Sequence, residues 1–400
     1  MTRKTVEHRI VVLGAGYTGM MCAVRAARRT RRTGGRVLLV NPSDRFTERL
    51  RMHQLATGQP LPELRIPDLL AGTGVEFVPG RAGRIDPVRR EVRVDAGDGA
   101  RVLSYDTLVY AIGSVAETTT VPGVDVHAYT LNNPDAAARL AARLAEWPGG
   151  TVAVCGGGLT GVEAATEIAE SHPAVRVVLL SRDLPGSMMS ERARGYLNRA
   201  LQRLGITVRS GVEITKVLPD AVELAGGELV PVDACLWTTG FVALPLAAEA
   251  GFTVDRHGRI VVDPTLRSVS HPTVFAIGDA AAIRQAWGTI HGTCQSGIPS
   301  GAHTADAIAR QLRGREPRPF RFGYIHQPVS LGRRDAVIQF THADDSPRRW
   351  FLTGRLAVAY KEFVTSSPPV TYRMSKRLTI PLAALSARGG RRNHPRAATA

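Results

Sequence analysis

Two glycine clusters have the spacing of a pyrophosphate cradle, Gly14-Ala15-Gly16-Tyr17-Thr18-Gly19 and Gly156-Gly157-Gly158-Leu159-Thr160-Gly161. Each follows an apolar run, Ile10–Leu13 or Val152–Val154, and each opens an alanine-rich stretch, Met20–Ala27 or Val162–Glu170. In a strand–turn–helix setting each glycine has a task. The first permits the tight turn, the second lets backbone approach the pyrophosphate, and the third lets helix pack on strand. The phosphates then face free N–H groups at a helix N-terminus. Two dinucleotides on one chain imply a flavin and a nicotinamide, and electron transfer between them.

The elements that must position these turns recur in the same order. Residues 10–40 read as strand, helix and strand, with the second strand over Arg36–Val40. A polar, arginine-rich connection covers residues 44–58, and short strands follow at Val75–Val78 and Val92–Val94. An apolar strand at 108–112 ends in Gly113, and a linker with Pro122-Gly123 crosses to a helix over Asp135–Glu146. Then the plan restarts: strand 151–155, glycine turn, helix 162–170 and strand 175–180. The segment 234–240, ending in Gly240, repeats the pattern of 108–113, a diverged internal repeat. The strand Thr273–Ile277 ends in Gly278-Asp279, and a helix is expected from Gly301 to Leu312. A Pro/Arg linker, Arg313–Arg321, leads to a small third region at 322–385 with strands at Val329–Leu331 and Ala336–Phe340.

Four hundred residues with 44% hydrophobic content suffice for two or three domains with real cores. No apolar run has the length needed to cross a bilayer, and the polar start of the chain carries no apolar signal segment. A cytoplasmic location is therefore expected. The cysteines, Cys22, Cys155, Cys235 and Cys294, lie far apart in sequence, which argues against a disulfide scaffold or a Cys-x-x-Cys pair. Cys22, Cys155 and Cys235 have the flanks of core residues. No metal-ligand spacing occurs, so no metal is expected. The net charge of +16 fits solvated arginine-rich faces or attraction to an anionic partner. From Ser346 onward eleven basic residues face the single acid Glu362. The segment 387–400 reads as a disordered basic tail, and the part before it could lie on an anionic membrane surface.

The two fingerprints, the two glycine-ended strands and Thr273-Val274-Phe275-Ala276-Ile277-Gly278-Asp279 together resemble the FAD-dependent pyridine nucleotide oxidoreductases. Phe46-Thr47, Gln54-Leu55-Ala56-Thr57-Gly58 and Gly161-Val162-Glu163 are most similar to the type II NADH dehydrogenase group and its apoptosis-inducing-factor-like relatives. The resemblance covers residues 9–312 well and the last eighty only loosely. It implies an α/β fold with two Rossmann-like domains in a glutathione-reductase-like arrangement, plus a small C-terminal α+β region. The FAD domain would comprise 1–117 and 246–316, the NAD(P)H domain 118–245 and the C-terminal domain 317–386. Gly14, Gly16 and Gly19 would cradle the FAD pyrophosphate, with Gly113, Gly240 and Gly278 at neighbouring turns. Asp279 would accept hydroxyl protons from the ribityl–phosphate region. Gly156, Gly158 and Gly161 would hold the nicotinamide cofactor's pyrophosphate. Glu163 would face the nicotinamide–flavin stack, or would merely complement its helix dipole.

Departures from the family pattern sharpen these expectations. The acid that ends the second strand and binds ribose hydroxyls is Asn41 in the first site and Ser181-Arg182 in the second. Asn41 still offers hydrogen bonds, whereas Arg182 could pair with a 2′-phosphate, which leans toward NADPH. Residues 41–60 contain no cysteine, so no thiolate stands ready beside the flavin. In that connection, with His53, Arg49 or Arg51 would meet phosphate or flavin N1 charge. The quinone signature Ala-Gln-x-x-x-Gln-x-Gly is matched by Cys294-Gln295-Ser296-Gly297-Ile298-Pro299-Ser300-Gly301. Gln295 is kept as an acceptor-site candidate, but Pro299 replaces the second glutamine and offers no donor. His291 and His303 flank the segment as candidate proton donors.

The reading that follows is an enzyme passing hydride from NAD(P)H to FAD, and electrons on to a small-molecule acceptor, a quinone or quinone-like compound. Pro368-Pro369 and Pro381 are expected to interrupt a membrane-docking helix near the C-terminus, so that docking would rest on charge more than on a clear amphipathic period. A soluble flavoenzyme tailoring one metabolite is the alternative. A redox-sensing or nucleic-acid-binding flavoprotein is a third reading, but no DNA-reading element or aromatic interleaving supports it.

Overall fold

Ile10 to Leu13 and Val152 to Val154 are sealed from solvent on both faces, as central parallel strands require. The computed structural model describes residues 7–378, apart from residues 98 and 148. The tail at 387–400, Pro381 and the apolar Leu378–Leu385 stretch beyond its first residue lie outside the described residues.

The first half runs β1 (His8–Leu13), α1 (Tyr17–Thr30), β2 (Gly35–Asn41), a short helix α2 (Met52–Leu55), β3 (Val75–Pro79) and β4 (Thr107–Tyr110). The second half runs β5 (Ala128–Thr130), α3 (Pro134–Ala145), β6 (Gly150–Cys155), α4 (Leu159–Ser171), β7 (Val175–Ser181), α5 (Glu191–Arg203), β8 (Thr207–Ser210) and β9 (Ala234–Trp237). The chain then continues through β10 (Val274–Ala276), α6 (Cys294–Gln311), β11 (His326–Ser330), β12 (Ala336–Thr341), β13 (Pro347–Thr353) and α7 (Gly354–Ser375).

Five parallel strands form the first sheet in the order β10-β4-β1-β2-β3. Five more form the second in the order β8-β7-β6-β9-β5. Strand β10, far along the chain, returns to the first sheet beside β4. In each half a three-stranded antiparallel sheet, at 81–104 or 214–231, precedes the strand that ends in a glycine turn. The repeat seen in the sequence is thus a repeat of topology. A third antiparallel sheet, β11-β12-β13, packs with α7.

Helix α6 begins at Cys294, seven residues before the start expected from sequence. Thr293 caps it in a reciprocal box with Ser296, which supplies the missing start signal. The helix lies backbone-close on α1: a Cβ on Gly301 would stand 2.4 Å from Thr18 O. Pro299 sits inside it and leaves the Gln295 carbonyl without its helical N–H.

The expected break at Pro368-Pro369 does not occur. Helix α7 runs unbroken through both prolines, which are buried. Ser367 Oγ donates to Val364 O at 2.8 Å, satisfying the carbonyl that Pro368 cannot serve. Tyr372, wholly buried, donates its hydroxyl to Tyr17 O at 2.9 Å and packs edge-on against Phe46. Tertiary burial of this face outweighs the loss of about 3 kcal/mol expected for an interior proline.

Cys22, Cys155 and Cys235 are buried as expected, and all four cysteines are free. Cys155 on β6 and Cys235 on β9 lie side by side, with sulfurs 3.5 Å apart, a proximity that their separation in sequence conceals.

Candidate active site

The two glycine turns fold alike, and the reasons are steric. At Gly14 (φ +96°) a Cβ would lie 2.5 Å from Ala111 O, and at Gly19 it would lie 1.8 Å from Gly14 O. At Gly156 (φ +123°) it would lie 2.8 Å from Thr238 Oγ1, and at Gly161 1.8 Å from Gly156 O. The first and third glycines therefore serve the chain's own packing. A Cβ on Gly16 or Gly158 would meet no protein atom within 4 Å. Nothing in the protein requires glycine there, whereas close approach of a pyrophosphate does. Both middle glycines stand at helix N-caps without a side-chain cap, so the first N–H groups of α1 and α4 remain available to an anion. The extra glycine, Gly157, is explained by Ser181: a Cβ would meet its Oγ at 2.2 Å.

The ends of the second strands lie beside these turns. Asn41 Oδ1 accepts from Ala15 N at 3.0 Å, and its Nδ2 donates to Ser43 O at 2.8 Å. Asn41 is thus fixed against the first cradle, with one N–H left for a hydroxyl. Arg182 follows Ser181 at the second cradle and is largely exposed, 3.7 Å from Glu213.

Around the first cradle, Arg49 Nη1 donates to Ser114 O at 2.7 Å, next to Gly113. Ser114 Oγ donates to Asp279 Oδ2 at 3.0 Å. The structure therefore brings Arg49, Gly113, Gly278 and Asp279 into one neighbourhood. Gly278 abuts Thr18 on α1, while Gly240 packs against Glu117 at the turn after β9. Cys294 also belongs to this neighbourhood. Burial, Asp279 and Lys361 set its thiol, which ends pushed up to about 11, so it is a neutral thiol at neutral pH.

Glu163 does not simply complement its helix. It is buried where α4, α2 and the C-terminal region meet, and its Oε1 receives Lys361 Nζ at 2.7 Å, Ser330 N at 3.0 Å and Ser330 Oγ at 3.0 Å. Burial pushes its carboxyl up, but Lys361, His53 and the Ser330 N–H outweigh that and hold it below the ordinary range. His53 lies 4.0 Å from Glu163 and 3.9 Å from Glu167, and burial drives its pKa down to about 4. Arg51 pairs with Glu362 and Glu48, tying the same junction to α7.

Gln295 is committed to the backbone. Its Oε1 accepts from Ile325 N at 2.7 Å and its Nε2 donates to His326 O at 2.9 Å, which fixes the start of β11. Of the flanking histidines, His291 stacks on Tyr324 and meets Asp345 at 3.2 Å. His303 packs on Phe320, and burial lowers it to about 4, so it is neutral and poorly suited to give a proton.

Lys361, Ser330 and Glu167 escaped sequence reasoning as site residues. One signal was present: Glu163 and Glu167 stand four apart in an apolar helix, and buried carboxylates require partners.

Two parallel sheets, each with a glycine turn at a helix start, define a fold with two Rossmann-like dinucleotide-binding halves. The family model for pyridine nucleotide-disulphide oxidoreductases matches residues 4–308, and the chain belongs to that family. An NADH dehydrogenase-like protein of Mycobacterium tuberculosis is 30% identical over 350 residues, 82% of this chain and 87% of that one. The demethylphylloquinone reductase of Synechocystis is 27% identical over 88% of this chain and 92% of its own. Among solved structures, the sulfide:quinone oxidoreductase of Aquifex aeolicus superposes with a TM-score of 0.78 at 19% identity, covering 92% of each chain. The NDH2 of Plasmodium falciparum in complex with NADH gives 0.78 at 14% identity, over 93% of this chain and 97% of that one. The protein is an FAD-dependent NAD(P)H oxidoreductase homologous to the type II NADH:quinone oxidoreductases.

Proposed function

We propose that the protein takes hydride from NAD(P)H and delivers electrons to a quinone or quinone-like acceptor, working against an anionic lipid surface. The carrying observation is the pair of middle glycines, Gly16 and Gly158, whose backbone is open to a ligand while their neighbours are closed by protein. FAD would lie on the first cradle, where Gly14, Gly16, Gly19, Asn41, Arg49, Gly113 and Asp279 converge. NAD(P)H would lie on the second, held by Gly156, Gly158 and Gly161, with Gly240 at the neighbouring turn. Arg182 would pair with a 2′-phosphate after leaving Glu213. In this reading the described residues of 1–117 and 246–316 form the FAD domain, those of 118–245 the NAD(P)H domain and those of 317–386 the C-terminal domain.

FAD, when bound, supplies the two-electron chemistry. The chain's residues supply the setting. Helix starts α1 and α4 hold phosphate charge. Glu163 and Lys361 close the junction between the two cradles and the C-terminal region with a fixed charge pair. Gln295 holds β11 in place through the backbone, so its role in this reading is positioning.

Helix α7 supports the lipid surface. Leu356, Phe363 and Val370 recur every seven residues and are exposed, with Met374 on the same face. Trp350 on β13 is also exposed, at 77%. Exposed Arg355, Arg373 and Arg377 stand among them, which suits anionic headgroups. Among the described residues no helix is long and apolar enough to cross a membrane.

The experiment is anaerobic. NADH or NADPH should bleach the yellow protein, and a quinone should restore the colour. A flavin that neither nucleotide bleaches overturns the reading. Pro299 and the engaged amide of Gln295 favour a second reading, in which a specific metabolite replaces the quinone. A bleached protein that quinones do not reoxidise and that ignores lipid vesicles would select it.

A further inference from the structure

Reduction of a quinone-like acceptor consumes one proton from solvent. NAD(P)H is oxidised and gives up two electrons and one proton as hydride; the acceptor is reduced by two electrons and gains two protons. The second proton has to come from solvent. A line of titratable side chains runs from the surface inward to Glu163.

Helix α4 carries Glu163, Glu167 and Glu170 at positions i, i+4 and i+7, on one face. Their exposure changes in steps. Glu163 and Glu167 are buried, at 8% and 0%. The Glu170 side chain is 21% exposed and meets Arg334 and the Arg333 N–H at the surface. His53, from α2, stands between the first two carboxyls. Its Nδ1 is 4.0 Å from Glu163 Oε2, and its Nε2 is 3.9 Å from Glu167 Oε2 and 3.5 Å from Ser330 Oγ. A side-chain shift of about 1 Å would bring either pair within hydrogen-bond reach.

Glu167 is the decisive group. One oxygen accepts from Gln59 Nε2, and Gln59 also reaches Ser171 Oγ at the surface. The other oxygen is wholly buried and has no hydrogen-bond partner. An ionised carboxylate left so would carry a desolvation cost of several kcal/mol. A protonated one has an O–H to offer, and His53 Nε2 stands 3.9 Å away as an acceptor.

We propose that Glu167 and His53 form a proton relay from the Gln59–Ser171 edge of the protein to the Glu163–Lys361 pair. This rests on the oxidoreductase reading above. The proton leaves Glu167 for His53 Nε2, and the Nδ1 proton passes to Glu163 Oε2. From there it goes to the acceptor, forming its new bond to hydrogen. Glu167 then regains a proton from solvent, and His53, left protonated on Nε2, returns to its Nδ1–H tautomer by rotation of its ring before the next turnover. Imidazole suits the middle position because it gains a proton on one nitrogen and loses one from the other. The charged groups facing His53 are Glu163, Glu167, Lys361, Arg333 and Arg51; those facing Glu167 are Arg333, Glu170 and Glu163. Burial outweighs these charges, raising Glu167 above the ordinary carboxylate range and lowering His53 to about 4, so the ring is neutral at neutral pH.

The test uses the FAD-loaded full chain with Glu167→Gln and His53→Gln, both close in shape to the natural residues. Infrared spectroscopy at neutral pH should show a protonated-carboxyl band that Glu167→Gln removes and His53→Gln shifts. Stopped-flow with a water-soluble benzoquinone should show reoxidation slowed about 100-fold in both variants, with an altered pH profile, while bleaching by NAD(P)H slows far less. No band lost from Glu167→Gln, or reoxidation at the natural rate and pH profile in both variants, overturns the relay. Failure of the oxidoreductase reading shows separately, as a natural protein that neither nucleotide bleaches.

Discussion

Lys361 Nζ lies 2.7 Å from Glu163 Oε1, across almost two hundred residues of sequence. The pair joins the first turn after the second glycine cradle to the C-terminal helix. Removing the amine strands a buried carboxylate. Lys361→Ala should destabilise the protein by about 3–5 kcal/mol, and adding Glu163→Gln to it should recover much of the loss. Urea unfolding of the single and double variants checks this; equal losses in both would refute the pairing as a stabilising unit.

The glycines separate into two functional groups. Gly19→Ala and Gly161→Ala drive a methyl into backbone and should yield misfolded protein. Gly16→Ala should fold but lose FAD, and Gly158→Ala should fold with a raised KM for NAD(P)H. Melting curves and bound-flavin absorbance distinguish the two groups. Full flavin occupancy in Gly16→Ala would contradict the assignment of the first cradle.

Acid sensitivity follows from buried histidines. Burial lowers His53, His303 and His326 from 6.5 to about 4. Between those values the unfolded chain binds protons that the folded chain refuses, so stability rises with pH through this window. Three such groups give a slope of up to about 4 kcal/mol per pH unit. Glu167, raised above 4.5, works in the opposite direction over its own range. Glu163, held below 4.5, adds a further loss as pH falls through its folded value. Urea midpoints measured across the window should fall on acidification, and a flat profile would rule the effect out.

Cofactor choice should respond to Arg182. With its guanidinium exposed and only 3.7 Å from Glu213, the arginine is free to change partners. Arg182→Ala should lower kcat/KM for NADPH about 10-fold and affect NADH much less, whereas Glu213→Gln should favour NADPH. Identical NADPH/NADH ratios in all three proteins would remove Arg182 from the site.

Lipid contact should depend on the α7 stripe. Phe363→Glu and Leu356→Glu place charge on its exposed apolar face. Sedimentation with anionic vesicles should be lost in both while the far-ultraviolet dichroism stays helical, and salt should weaken the natural protein's binding. Unchanged sedimentation of both variants would show that another surface binds.

The glycine cradles, the strand–turn–helix units and their duplication were legible in the residues because they are local. The third glycine of each turn packs on the carbonyl of the first, five residues earlier, so the turn is set within its own strand–turn–helix unit. The same holds for Asn41 and Arg182, whose places follow from the ends of β2 and β7. Helix α7 was not legible, since proline reads locally as a break and only burial of Pro368, Pro369 and Tyr372 overrides it. The start of α6 was missed because its capping box uses Ser296 rather than an acid or amide at N3.

By itself, then, the sequence determined the two glycine turns and the helices they open, since backbone sterics act within a few residues. Only the tertiary structure decided which groups meet at Glu163. Lys361, Ser330 and His53 come from distant parts of the chain, and the cost of burying a charge without a partner is what holds them together.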